Sequence, residues 1–174
     1  MTRKGAIFGT IAFFAVGPVT AAGIVPWFLS GWREEPAFLG LGPLRFVGAA
    51  AAAAGVALLV ACYARFALDG LGTPAPIAPP SRLVIQGPYR HVRNPIYLAV
   101  LGIVLGQAFL LGNVALLAYG GLIFLACHLF VVLYEEPNLQ RRFGADYAAF
   151  FAAVPRWLPR AKAWAPSEKS RGLE

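Results

Sequence analysis

The chain has 174 residues, 59% of them hydrophobic and 13% charged, with a mean hydropathy of +0.65; this excludes an ordinary soluble domain and a disordered chain and implies an integral membrane protein. The net charge of +7 does not point to nucleic acid, because the basic residues bracket apolar runs and read as topology signals. Cys62 and Cys127 each fall inside an apolar run, so neither a disulfide framework nor a metal site is expected.

A bilayer core of roughly 30 Å needs about 20 helical residues. The first apolar run, about Ala6 to Leu29, follows Thr2-Arg3-Lys4, is too long for a signal-peptide core, and reads as a retained anchor ending at Trp27 and Trp32. The second, about Leu44 to Leu68, contains the small side chains Ala49 to Ala54. The third, Ile96 to Leu111, and the fourth, Val114 to Tyr134, are joined only by Gly112-Asn113 and predict a tight helical hairpin. Gly102 and Gly106 have the small-xxx-small spacing that lets helices approach closely, which suggests that the hairpin packs as one unit. The expected fold is all-α, with about four transmembrane helices and a cytoplasmic amphipathic C-terminal segment.

Arg3 and Lys4 precede the first run, Arg65, Arg82, Arg90 and Arg93 lie between the second and third, and the other basic residues except Arg33 and Arg45 follow the fourth. The positive-inside bias places both termini and the loop before Asn94 in the cytoplasm. The expected setting is a bacterial inner membrane. The proline-rich stretch before Ser81 reads as an extended connector, Leu83 to Ile85 as a short extended piece, Gly87-Pro88 as a turn, and Asn94-Pro95 as a helix cap with proline at the first helical position. After Tyr134, Leu139, Phe143, Tyr147, Phe150 and Phe151 recur at mixed three- and four-residue steps, interrupted at Gly144, as on an amphipathic helix. Residues 1–68 thus form two N-terminal helices, 69–164 the functional core, and 165–174 a tail expected to be disordered.

The chemistry gathers in GPYRHVRNPIY, Gly87 to Tyr97, and in Glu135-Glu136. Asn94 is first a cap, but the opening turn of a helix also favours an anionic or hydroxyl-bearing ligand. Tyr89 and Tyr97 are either interfacial aromatics or faces for an adenine or a cation. Two acids at what reads as a helix C-terminus oppose the helix dipole, which points to a cationic or hydroxyl-bearing partner. His128 lies two turns before Glu135 and shares its face.

In order and spacing, G-x-Y, R-N-P-x-Y, an apolar hairpin, E-E-x-x-L, F-G-x-x-Y and V-P resemble the isoprenylcysteine carboxyl methyltransferase and phospholipid methyltransferase superfamily, over about Ser81 to Pro159. The resemblance implies S-adenosylmethionine at the cytoplasmic face and a lipophilic or lipid acceptor entering from the bilayer. Ser81, Arg82, Leu83 and Val84 would line the cofactor, Tyr89, Asn94 and Tyr97 would contact it, and Glu135 would hold its polar groups. Glu136, His128 and Arg93 are the candidates for catalysis or acceptor binding. Asn94 stands where the family usually has histidine, so it can bind but not titrate. Val131 stands where prenylcysteine methyltransferases carry an arginine for a substrate carboxylate; this weakens the carboxylate reading and makes a different lipophilic acceptor at least as well supported, with Arg93 or Arg141 the residues that could substitute. Sterol and steroid reductases, which use a reduced nicotinamide, share an arginine-proline-tyrosine box and form the second reading. A transporter or a non-catalytic membrane interaction subunit forms the third.

Overall fold

The computed structural model describes residues 16–69, 83 and 85–165, and among them the only regular elements are helices. Helix α1 is Thr20–Ser30, α2 is Leu44–Asp69, and α3 is Pro95–Leu111. Helix α4, Val114–Phe130, runs through a π turn, Val131–Glu135, into α5, Glu136–Ala153. Among the described residues two helices are long and apolar enough to cross a membrane: Leu44–Arg65, and Val114–Ala153, whose 40 residues exceed a bilayer's thickness at about 1.5 Å each. The latter's apolar first half is the part suited to lipid, and the polar α5 continues past it. Helix α3 is apolar but shorter; of the expected first run, Ala6 to Leu29, residues 6–15 lie outside the described residues, and α1 is the apolar helix described in the rest of it.

Packing centres on α2 against α3, where glycines bring backbone onto backbone. A Cβ at Gly106 would stand 2.5 Å from the Ala52 nitrogen and 2.7 Å from the Gly48 oxygen, and one at Gly48 would stand 2.5 Å from the Leu110 nitrogen. Gly55 lies as closely against Ala99 and Ile103. Apolar solvent gives little reason for helices to associate, so close dispersion contact between small residues does the work. Gly102 and Gly106 therefore serve α3's contact with α2, which corrects their assignment to the α3–α4 hairpin. Gly112, at φ 73°, turns the chain between α3 and α4, and Asn113 caps α4 by accepting from the Leu116 N–H at 3.0 Å.

Helix α1 is attached by a device that its proline creates. Its π turn, Thr20–Ile24, sends the Val25 N–H to the Thr20 oxygen, so the Ala21 carbonyl loses its usual partner. Pro26 has no N–H for the Ala22 carbonyl. Tyr119 of α4 donates to the Ala21 oxygen at 3.0 Å and Gln107 of α3 donates to the Ala22 oxygen at 2.7 Å. Both orphaned acceptors are thus filled by side chains from other helices, as burial demands.

The two ends of the bundle differ. At one, Arg45 pairs with Glu34 and donates to the Glu35 carbonyl, Asn113 donates to the Glu35 carboxylate, and the Glu35 N–H bonds the Leu111 oxygen at 2.8 Å. This clasps the loop before α2 onto the α3–α4 turn. The other end carries the 3₁₀ turn Gly87–Arg90, the start of α3, the π turn and the chain after α5.

Candidate active site

The N-terminal end of α3 is covered by a non-helical strap, residues 154–164. The strap is stitched to the stretch before α3 by backbone bonds: Arg93 N–H to the Pro155 oxygen (2.9 Å), Arg160 N–H to the His91 oxygen (3.0 Å) and Trp164 N–H to the Arg90 oxygen (2.9 Å). His91 Nδ1–H returns a bond to the Arg160 oxygen at 2.8 Å, and Arg90 Nε donates to the Trp164 oxygen. Val154, buried, closes a cluster with Tyr147 and Phe150 of α5, joined by Leu83, Ile85 and Trp164. The strap is folded chain, held by both hydrogen bonds and apolar contact.

Beneath it lies an ionic triad. Glu136 Oε1 stands 2.9 Å from Arg93 Nη1, and the carboxylate accepts from Arg156 Nε at 2.7 Å and Arg156 Nη2 at 2.8 Å. The side chains of Arg93, Glu136 and Arg156 are 8%, 11% and 28% exposed, so the group is nearly out of solvent. The Glu136 hydrogen bonds hold the Arg156 guanidinium above its ordinary value. Arg93 also lies 4.0 Å over the Phe151 ring, a cation–π contact.

Next to the triad in sequence, Tyr97 OH donates to Glu135 Oε2 at 3.0 Å. This bond joins the R-N-P-x-Y and E-E boxes across the fold. Their meeting depends on α4 passing Pro137 without ending. The Glu136 N–H reaches back to the Val131 oxygen, which widens the turn at the point where proline must lose its own bond. Glu135-Glu136 therefore lie within a continuous helical run, which corrects their placement at a helix C-terminus. Their partners are Tyr97, Arg93 and Arg156. The run bends later, at Gly144 (φ 50°, ψ −119°), where the sequence pattern breaks.

The remaining candidates are distributed as follows. Asn94 occupies the N-cap position of α3 with Pro95 next, but its side chain caps no helical amide; Nδ2 donates to the Arg156 oxygen at 3.1 Å. Tyr89 is buried with Cys62, Leu58 and Ile96, and burial pushes its hydroxyl well above the usual tyrosine range. Leu83 packs in the Tyr147 cluster. Ser81, Arg82 and Val84, like the connector before them and the tail after Ala165, lie outside the described residues. His128 Nδ1 accepts from Trp157 Nε1 at 3.1 Å. The indole of Trp157 also meets Phe124 and Tyr97, with ring centroids 5.3 and 6.5 Å apart.

Arg156 and Trp157 were not among the sequence candidates. The only signal for them is the V-P box that precedes them. An open concavity near Trp27, Phe28, Ser30, Gly31 and Arg33 is at the opposite end of the bundle and shares no residue with this cluster. Among the described residues no three His, Cys, Asp or Glu side chains gather as metal ligands.

A sequence model described as phospholipid methyltransferase matches residues 44–146. The chain belongs to the phospholipid methyltransferase family. The matched span contains both boxes and the Tyr97–Glu135 bond and ends before the strap. No curated protein compared with the chain matches it.

Proposed function

We propose that this member of the phospholipid methyltransferase family transfers a methyl group from S-adenosylmethionine to a lipophilic or lipid acceptor. The observation that carries the proposal is the Tyr97–Glu135 hydrogen bond, which unites two boxes of the matched family span at the end of the bundle where most of the described basic residues lie. By the positive-inside bias this end is cytoplasmic, where a soluble cofactor has access, and the setting is a bacterial inner membrane.

The donor set fits such a cofactor. An ionised Glu135 only accepts hydrogen bonds, and one Tyr97 donor leaves further lone pairs for ribose hydroxyls or an ammonium group. Tyr97 both fixes the carboxylate and presents a ring. The bound cofactor would supply the electrophilic methyl on its sulfonium. The protein's own work is to orient the acceptor and exclude water. The strap and the α3–α4 hairpin do the second, and Ser81 to Val84 adjoin the same end in sequence.

Glu136 is paired with two guanidinium groups, which makes it an anchor for the strap and a poor base. Arg93 is committed to that pair, and Val131, 1% exposed, supplies no charge. An acceptor without a carboxylate therefore suits the site better than a prenylcysteine. The family match favours methyl transfer over the reductase reading.

Calorimetric titration of the detergent-purified chain with S-adenosylmethionine tests the proposal. Glu135→Gln should weaken binding by about tenfold or more, the loss of one charge-assisted hydrogen bond, while the protein stays folded. Unchanged affinity in that variant, or tight binding of a reduced nicotinamide instead, would reject it.

A further inference from the structure

Trp157 stands between two anchor points of the strap, the bonds that Pro155 and Arg160 make to the stretch before α3. Its backbone is therefore fixed on both sides. The indole leans on α4, donating to His128 Nδ1 and packing on Phe124, and Tyr97 is also a ring neighbour. Indole N–H can only donate, so Nδ1 of His128 is the unprotonated nitrogen and Nε2 carries the proton. That bond occupies the lone pair a base would use.

Phe124 is 40% exposed, and Leu125 and Leu129 beside it are 54% and 47% exposed, on a helix apolar enough to cross a membrane. Tyr97, the indole's other ring neighbour, holds Glu135. The indole thus connects the exposed apolar surface of α4 with the polar pair. Its own chemistry matches the position, since it offers a broad apolar face and a single polar edge.

We propose that Trp157, oriented by His128, is the acceptor-side wall of the site, along which the apolar chain of a membrane-resident acceptor passes from the exposed face of α4 toward Tyr97 and Glu135. His128 is a positioning residue that acts through the indole. The assignment rests on the methyltransferase reading for the meaning of Tyr97 and Glu135, and it adds a residue that lies beyond the matched family span.

The test uses the full chain in detergent micelles, titrated with phosphatidylethanolamine bearing a dibrominated acyl chain, a contact quencher of indole fluorescence. The emission of Trp157 is the difference between wild type and Trp157→Phe. We expect saturable loss of that emission. The apparent affinity should weaken about tenfold in His128→Phe and stay within about twofold in His128→Asn, whose amide oxygen can still accept the indole N–H. Unquenched Trp157, or identical behaviour of the two His128 variants, would overturn the proposal. Calorimetry with S-adenosylmethionine on the same samples separates the two claims. Failure of wild type to bind the cofactor would sink the methyltransferase reading and leave the quenching result to decide this one.

Discussion

Replacing Glu136 with glutamine should release the strap without unfolding the bundle. Glutamine keeps the size of the side chain but removes the charge that Arg93 and Arg156 share. Arg93, 8% exposed on its side chain, would be left without a counter-charge. Breaking a buried pair by removing one partner costs about 3–5 kcal/mol. The lower end applies because Arg156 is 28% exposed and its bonds are screened by solvent. Only the Arg156 contact of the triad belongs to the strap, a charged hydrogen-bond pair worth about 1.5–3 kcal/mol, so the strap's open population rises roughly ten- to a hundredfold. Hydrogen exchange reads this directly, because the Arg160 and Trp164 amides bond to the His91 and Arg90 oxygens and exchange only when the strap lifts. Faster exchange there, with α2 and α3 amides unchanged, is the expected result. Protection at both amides within about threefold of wild type would refute the idea that the triad holds the strap.

Three further outcomes follow from the same geometry. Gly106→Val should destabilise the α2–α3 pair severely, since even a Cβ would stand 2.5 Å from the Ala52 nitrogen; a thermal melt in detergent reads it, and an unchanged midpoint would remove the close-packing account. Gln107→Leu should cost about 1–3 kcal/mol by leaving the Ala22 carbonyl unsatisfied, seen as loosened exchange in α1. Arg156→Lys should retain the charge but lose the two-pronged contact with Glu136, so strap amides should exchange faster than in wild type and slower than in Glu136→Gln.

Much of this arrangement was legible in the residue pattern, and the parts that were not share a physical reason. The apolar runs predicted α2 and α3 to within a residue or two, because a membrane helix must be continuous and apolar. The family resemblance assigned Tyr97 and Glu135 to one cofactor, but the bond between them was not foreseen, and spacing could not give it, since it spans 38 residues. Which helix a glycine face meets was not legible: the small side chains Ala49 to Ala54 signalled a close neighbour, but not that Gly106 is what meets Gly48 and Ala52. The passage of α4 through Pro137 escaped for a different reason. Proline normally ends a helix, and only a π turn, which has no sequence signature of its own, lets the run continue. The strap residues Arg156 and Trp157 sit in irregular chain, where periodicity carries no information.

Two asparagines show how far a cap can be read from sequence. Asn113 and Asn94 each precede a helix, and both qualify as caps by residue type. Asn113 fulfils the role, accepting from the Leu116 N–H. Pro95 occupies the first position of α3, and Asn94 turns its amide to the Arg156 oxygen at 3.1 Å. Asn113→Ala should therefore fray the first turn of α4, at about 1 kcal/mol. Asn94→Ala should leave the first turn of α3 as protected as before and loosen the strap instead, by about 1 kcal/mol or roughly fivefold in exchange at Arg160. The comparison has a sharp opposite outcome: fraying of α3 with an intact strap would make Asn94 a cap after all, and would remove one of the bonds by which the strap is tied over the candidate site.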